Sequence, residues 1–327
     1  MKKAMLIFAL IGMTIVSCKK EDPVPADPVP TPTPVTTNWT AVNTGLTDLR
    51  VHSLLNVGTT LFVGTEDGVF VSSDNGSTWT AANSGISGLS ILSLTNLGST
   101  IFAGTDGSGV FSSTNNGTSW TEVNSGLSNL TIYSLATDGT SIFAGNSEGT
   151  VAVSANNGSS WTEINTGSPL KVRSIAISGT KIFAGLGNNG VFLSNDNGGT
   201  WTAINTGLEV SGGGIQNVFA LLVSGSTIYA GTNGDGGIYK STNSGLSWTN
   251  SGTGLSSALV LSLVMNGNKM FAGTDYGGVA TSTNNGDSWV QTVSSGPLFN
   301  GTAESLATNS TFVFAGSDGD GVFRRAL

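Results

Sequence analysis

From residue 38 onward the chain alternates between short apolar runs and clusters of Gly, Asn, Asp, Ser and Thr. Val51 to Val57 is one such run and ends at Gly58; Thr60 to Thr65, Val69 to Ser72 and Trp79 to Asn83 follow, each separated by turn residues. Apolar positions do not recur at intervals of three and four, so the pattern predicts strands joined by hairpins and no helix. High glycine content alone would suit a disordered chain. Here the glycines recur at fixed intervals, which argues for turns.

The interval is a repeat. All seven tryptophans, Trp39, Trp79, Trp120, Trp161, Trp201, Trp248 and Trp289, occupy one repeat position, at spacings of 40, 41, 41, 40, 47 and 41 residues. A second marker also occurs seven times, as Val63-Gly64-Thr65, Ala103-Gly104-Thr105, Ala144-Gly145-Asn146, Ala184-Gly185-Leu186, Ala230-Gly231-Thr232, Ala272-Gly273-Thr274 and Ala315-Gly316-Ser317. Four strands in about 40 residues is the spacing of a propeller blade. A four-stranded sheet buries both faces only when blades stack around an axis. The repeat begins at Trp39-Thr40-Ala41-Val42, which matches a fourth strand, and ends at Gly321 to Arg325, which matches a third. Pairing the two would complete a seventh blade and remove a pair of open edges. The predicted fold is all-β, a seven-bladed β-propeller of four-stranded antiparallel blades over 38–327.

The turn between the third and fourth strands carries a family resemblance. It reads Ser72-Ser73-Asp74-Asn75-Gly76-Ser77-Thr78-Trp79, and again Ser194-Asn195-Asp196-Asn197-Gly198-Gly199-Thr200-Trp201. Four more copies carry Asn115, Asn156, Asn243 and Asn284 in the Asp position, followed by Trp120, Trp161, Trp248 and Trp289. This resembles the Asp-box (BNR) repeat of sialidases, sortilin ectodomains, xyloglucanases and photosystem II assembly factors. The physics of the turn points to a structural role. Asp and Asn accept backbone N–H bonds and tolerate unusual φ, glycine allows positive φ, and Trp buries a large surface. A metal site is not expected there, because Asn replaces Asp without breaking the pattern.

The N-terminal residues differ from the repeats. Lys2 and Lys3 precede a short apolar run, Ala4 to Val16, which is short for a membrane span. It ends at Ile15-Val16-Ser17-Cys18, which resembles a bacterial lipobox, and Cys18 is the sole cysteine. The expectation is a signal peptide over 1–17, lipidation at Cys18, and a tether over 18–37 that holds six of the eight prolines. Polyproline II at ~3.1 Å per residue would make that tether roughly 60 Å long. Lys19, Lys20, Glu21 and Asp22 after the cysteine resemble the surface-export signal of Bacteroidota lipoproteins. The expected location is the cell envelope, as an outer-membrane lipoprotein facing the periplasm or the surface. The membrane is met only through the lipid. The net charge of −8 argues against nucleic-acid binding.

Candidate chemistry sits on the face that carries the connections from strand two to three and from strand four to the next blade. Acidic residues rim it: Glu66, Asp67, Asp106, Glu148, Asp235, Asp275, Asp318 and Asp320. Its longest connection is read as Glu209 to Asn217, within the 47-residue spacing. Aligning the inner strands on Ser53, Ser93, Ser134, Ser174, Ala220, Ser262 and Ser305 places His52, Leu92, Tyr133, Arg173, Phe219, Leu261 and Glu304 at one equivalent position. Arg50 and Lys171 lie two residues before His52 and Arg173. Non-equivalent polar residues at equivalent central positions suggest a binding site of Arg50, His52, Tyr133, Lys171, Arg173, Phe219 and Glu304.

One function class is a non-catalytic module that presents this face to a protein, peptide or glycan. The other is a glycoside hydrolase of the sialidase-like superfamily. Sialidases use an arginine triad, a Tyr nucleophile with a Glu partner, and an Asp acid/base. The chain offers only Arg50 and Arg173 near the centre, with Tyr133 and Glu304, and lacks the Arg-Ile-Pro motif. A single histidine and a lipidated cysteine exclude a His/Cys metal site. The expectation is a monomer that binds without turnover, with no catalytic residues, metal or cofactor.

Overall fold

The computed structural model of the 327-residue chain describes residues 39–292 and 301–327. Cys18, the signal peptide and the Pro-rich tether lie outside the described residues. Among those described, 28 strands form seven four-stranded antiparallel sheets, and six of these are consecutive meanders. Blade 1 runs Val51–Val57, Thr60–Thr65, Gly68–Ser72 and Thr80–Ala81. Its second strand is buried on both faces, from Leu61 to Thr65, because a neighbouring blade lies on each side. The fourth strands are shorter than the sequence suggests, two residues in five of the first six blades. In blades 1, 2 and 4 the chain leaves the ladder at an asparagine. Asn83, Asn124 and Asn205 accept the backbone N–H of Val69, Val110 and Val191 through their side chains.

The seventh sheet joins Ser305–Thr308, Phe312–Ser317 and Gly321–Ala326 to the N-terminal strand Thr40–Ala41. Thr40 pairs with Arg324 and Ala41 with Phe323, so the expected closure is present. Each inner strand packs on the next, and the last packs on the first. One hydrophobic cluster spans the closing seam, with Val42, Phe314 and Val322 from blade 7 against Val51, Leu61 and Trp79 from blade 1.

The repeated small-Gly-Thr marker reports this stacking. A Cβ on Gly64 would lie 2.7 Å from Cγ2 of Ile91, on the inner strand of the next blade. Gly316 meets Val51 in the same way across the closing seam. Any side chain here would push adjacent blades apart.

The six Ser-x-Asp/Asn turns share one hydrogen-bond plan. Buried Ser72 donates to Asp74 Oδ1 at 2.7 Å and accepts the N–H of Gly76 at 2.8 Å. Asp74 in turn accepts the N–H and the hydroxyl of Thr78. The Thr78 backbone N–H, helped by the Thr78 and Ser72 hydroxyls, holds the Asp74 carboxyl down at about 2. In the Asn turns the polarity of the second bond reverses: Asn115 Nδ2 donates to Ser119 Oγ at 2.9 Å. The bonding partner four residues on is Thr in both Asp turns and Ser in all four Asn turns. The turn closes either way, so its acid is dispensable to the fold. The positive φ falls on the residue after Asp or Asn, such as Asn75 at 59°, and on Gly76; the acidic residue itself is not strained.

Each Trp after such a turn is a staple between blades. Trp120 is buried and its Nε1–H donates to the Ala82 carbonyl of the preceding blade at 2.8 Å. Trp79, Trp161, Trp248 and Trp289 do the same to Val42, Val123, Ile204 and Ser251. Trp201 differs: its Nε1–H finds no acceptor among the described residues. In blade 3 the outer strand stays in the ladder through Asn165, and the connection to blade 4 is short. The connection over 204–216 is thirteen residues long, so the expected long segment lies there and ends where Asn217 opens the inner strand.

Candidate functional site

The variable inner-strand position is a β-bulge. The ladder between first and second strands slips between Val51 and Ser53, Ile91 and Ser93, Ile132 and Ser134, Val172 and Ser174, Val218 and Ala220, and Val260 and Ser262. The extra residue in each is His52, Leu92, Tyr133, Arg173, Phe219 or Leu261. In blade 7, Glu304 takes the equivalent place, its N–H bonded to the Gly316 carbonyl just ahead of the ladder. A bulge frees a residue from strict alternation and re-aims its side chain. Val51 and Ser53 on either side are buried while His52 is half-buried. The seven residues therefore form a ring around the axis, in blade order, at the end of the channel where strands two and three connect.

The ring has two chemically opposite halves. Across the closing seam His52 Nδ1 is 3.1 Å from Glu304 Oε2 and His52 Nε2 is 3.7 Å from Glu66 Oε1. Arg50 forms an ion pair with Glu66 and lies 3.6 Å from Asp48. The hydrogen bond to Glu304 is the main force raising the His52 pKa above its ordinary value; burial opposes it, and Glu304, Glu66 and Asp318 add attraction. Beside this group a cleft of about 400 Å³ is lined by Leu259, Leu261, Asp275, Tyr276, Thr302, Glu304 and Asp318. Tyr276 is 82% exposed and holds φ at 56°, which is unusual for a bulky residue.

On the other side, Lys171 Nζ sits 3.1 Å from Tyr133 Oη and 4.6 Å from the centre of its ring. The Arg173 guanidinium lies 4.4 Å from the centre of the Phe219 ring. Burial pushes its pKa down from the usual arginine value, and its Nε–H is buried without a hydrogen-bond partner among the described residues. The structure thus collects all seven sequence candidates at one end of the channel, but as two contact groups: Arg50, His52 and Glu304 in one, and Tyr133, Lys171, Arg173 and Phe219 in the other. Sequence reasoning missed Tyr276, whose signal is a bulky residue inside an Asp-Tyr-Gly-Gly turn. Among the described residues no cluster of His, Cys, Asp and Glu suits a metal.

The coupling of His52 to Glu304 is testable because His52 is the only histidine. Its folded pKa is raised, so the stabilisation from this pair is fully present below the unfolded value of about 6.5 and is lost as pH rises through the folded pKa. Glu304→Gln removes the largest raising cause and leaves burial opposed only by the weaker attraction of Glu66 and Asp318. The imidazole NMR titration should move to lower pH in that variant, and an unmoved midpoint would refute the pairing.

A protein-family profile described as the DUF6242 beta propeller domain matches residues 29–127 and 94–213. Solved structures with the same fold include the extracellular domain of BT4673 from B. thetaiotaomicron, described as a one component system. It has a TM-score of 0.73 and 16% identity, over 88% of this chain and 40% of that one. PorZ, a surface component of the type-IX secretion system of Porphyromonas gingivalis, has a TM-score of 0.68 and 14% identity, over 88% of this chain and 48% of that one. YCF48 bound to D1 peptide has a TM-score of 0.67 and 15% identity, over 88% and 96%. The chain spans less than half of BT4673 and PorZ. No protein of curated function matches the sequence. At these identities the likenesses establish the fold.

Proposed function

Since the chain belongs to the DUF6242 beta propeller domain family, we propose that it is a non-catalytic binding module of the cell envelope that holds a peptide segment of a partner protein at the channel mouth. The observation that carries this reading is the ring of bulged residues. The positions on either side are uniform, with Val, Ile or Ala before and Ser or Ala after, yet here seven blades supply His, Leu, Tyr, Arg, Phe, Leu and Glu at one equivalent place. A repeat fold gains no stability from such divergence, whereas a ligand with distinct ends requires it. Peptide is favoured over glycan because the Lys171 and Arg173 cations lie over Tyr133 and Phe219, which narrows the aromatic surface on which a sugar could stack there. The peptide seen on YCF48 and the secretion role of PorZ support a docking use of this fold.

The module is held at the outer membrane through a lipid on Cys18, so palmitate label should enter the wild type and not Cys18→Ser. For binding, the full-length chain is immobilised in mild detergent and offered random hexapeptides. Retention should be lost in Tyr133→Ala/Phe219→Ala and kept in Leu246→Ser, a substitution at an exposed leucine in a turn on the other face. Equal retention by both variants would remove the site from the ring. Hydrolysis of any glycoside in a substrate panel, abolished by Glu304→Gln, would replace this reading with the hydrolase.

A further inference from the structure

Two blades carry a cation at the residue before the inner strand, and they treat it differently. In blade 1 Arg50 flanks the Val51–Thr65 pair, and Glu66 follows Thr65 on the opposite strand. The two side chains form an ion pair. In blade 4 Lys171 flanks the Val172–Leu186 pair, and the residue that follows Leu186 is Gly187. The Gly187 N–H bonds to the Lys171 carbonyl, as the Asp106 and Asp275 N–H groups bond to Ser90 and Leu259 in their own blades, so the positions are structurally equivalent. That position is Glu66, Asp106, Ser147, Gly187, Asn233, Asp275 and Asp318 around the ring. It is acidic in four blades and has no side chain in blade 4, where Lys171 and Arg173 both lie at this end of the inner strand.

The surroundings of Gly187 form a slot. A Cβ there would have Asn217 Oδ1 at 3.5 Å, Arg173 Nε at 3.6 Å and Lys171 Cγ at 3.9 Å, all ordinary contact distances. Asn217 Oδ1 and Arg173 Nε are both buried without hydrogen-bond partners among the described residues. Neither Lys171 nor Arg173 has a carboxylate within 4 Å among the described residues, whereas Arg50, His52 and Lys240 all do. Leaving a half-buried guanidinium unpaired is unfavourable, and an arriving carboxylate would remove that penalty while making charge-assisted bonds.

Building on the peptide reading of the channel mouth, we propose that the slot beside Gly187 is a carboxylate-binding subsite, in which Lys171 and Arg173 hold a peptide's carboxyl group where four other blades place their own. The carboxyl group is that of a C-terminus or of an Asp or Glu side chain. Its aliphatic neighbour rests against the edges of Tyr133 and Phe219.

The test uses the full-length chain and random hexapeptide pools in four forms: free or amidated at the C-terminus, each with or without Asp and Glu. Pools carrying a carboxylate should be retained about ten- to hundredfold more strongly than the amidated, acid-free pool, and salt should weaken them. Which of the three carboxylate pools dominates identifies the source. Gly187→Glu supplies an internal carboxylate, as blade 1 does, and should reduce retention to the acid-free level; Arg173→Gln should do the same. Gly187 does not sit in the left-handed region, so Gly187→Glu should melt like the wild type. Equal retention of the acid-free amidated pool, or undiminished retention by Gly187→Glu, overturns the subsite while leaving the mouth as a peptide site. Failure of every pool overturns the peptide reading as well. Binding of glucuronate or N-acetylneuraminate that depends on Gly187, with no peptide retained, overturns the peptide and keeps the slot.

Discussion

Trp120→Ala is expected to destabilise the propeller by about 4 kcal/mol, against a total stability of roughly 5–15 kcal/mol for a domain. Trp120 is 5% exposed and packs with Phe62, Val69, Ala82, Ile86, Ile91 and Phe111, residues of blades 1 and 2. Truncation to alanine loses the burial of an indole and leaves a cavity between blades, a combination that costs about 3–5 kcal/mol. It also strips the Ala82 carbonyl of its donor, which adds about 1 kcal/mol where water cannot replace it. Trp201→Ala supplies the contrast. That indole is only partly buried and its N–H has no described acceptor, so its removal should cost about 1–2 kcal/mol less. Urea midpoints at constant slope would read the difference. Equal losses for the two variants would show that the stapling hydrogen bond and the tighter packing at Trp120 contribute nothing.

The same comparison shows what the sequence could and could not reveal. Blade number and closure were legible, because tryptophan and small-Gly-Thr recur seven times and the chain ends complement each other as third and fourth strands. The ring of variable positions was legible too, since the variable residue sits before a shared Ser or Ala. Its geometry was not. A β-bulge is a slip in pairing register and leaves no residue signature at His52 or Arg173. The partition of charge depends on which blades touch: His52 and Glu304 are 252 residues apart and meet only because the ring closes. Gly187 gave no signal because a missing side chain becomes informative only once Glu66 is known to pair with Arg50.

Removing residues 39–46 should have the largest effect of any change considered, since it opens the ring. This segment contributes the Val42 N–H to the Val322 carbonyl and the Asn43 carboxamide to both Val322 and Asp320. It also accepts two bonds from Trp79, whose Nε1–H and backbone N–H reach the Val42 and Thr44 carbonyls. Trp39, Val42 and Leu46 are all buried, so three core side chains leave with it. Each fully buried large apolar side chain accounts for about 1.5–3 kcal/mol of transfer free energy, so the sum reaches most of a domain's stability. The strand Gly321–Ala326 is then left as an open edge, a template for pairing with another chain. The expected outcome is loss of a cooperative thermal transition and appearance of aggregates on size exclusion. A circular permutant that carries residues 39–46 after Leu327, through a linker of about five Gly and Ser residues, restores the missing strand without restoring its original connectivity. It should recover a monomeric peak and cooperative melting. If the deletion variant melts like the parent, the N-terminal strand does not close the ring. If the permutant fails while the parent folds, the covalent link from residue 46 to blade 1 matters more than the strand pairing it brings.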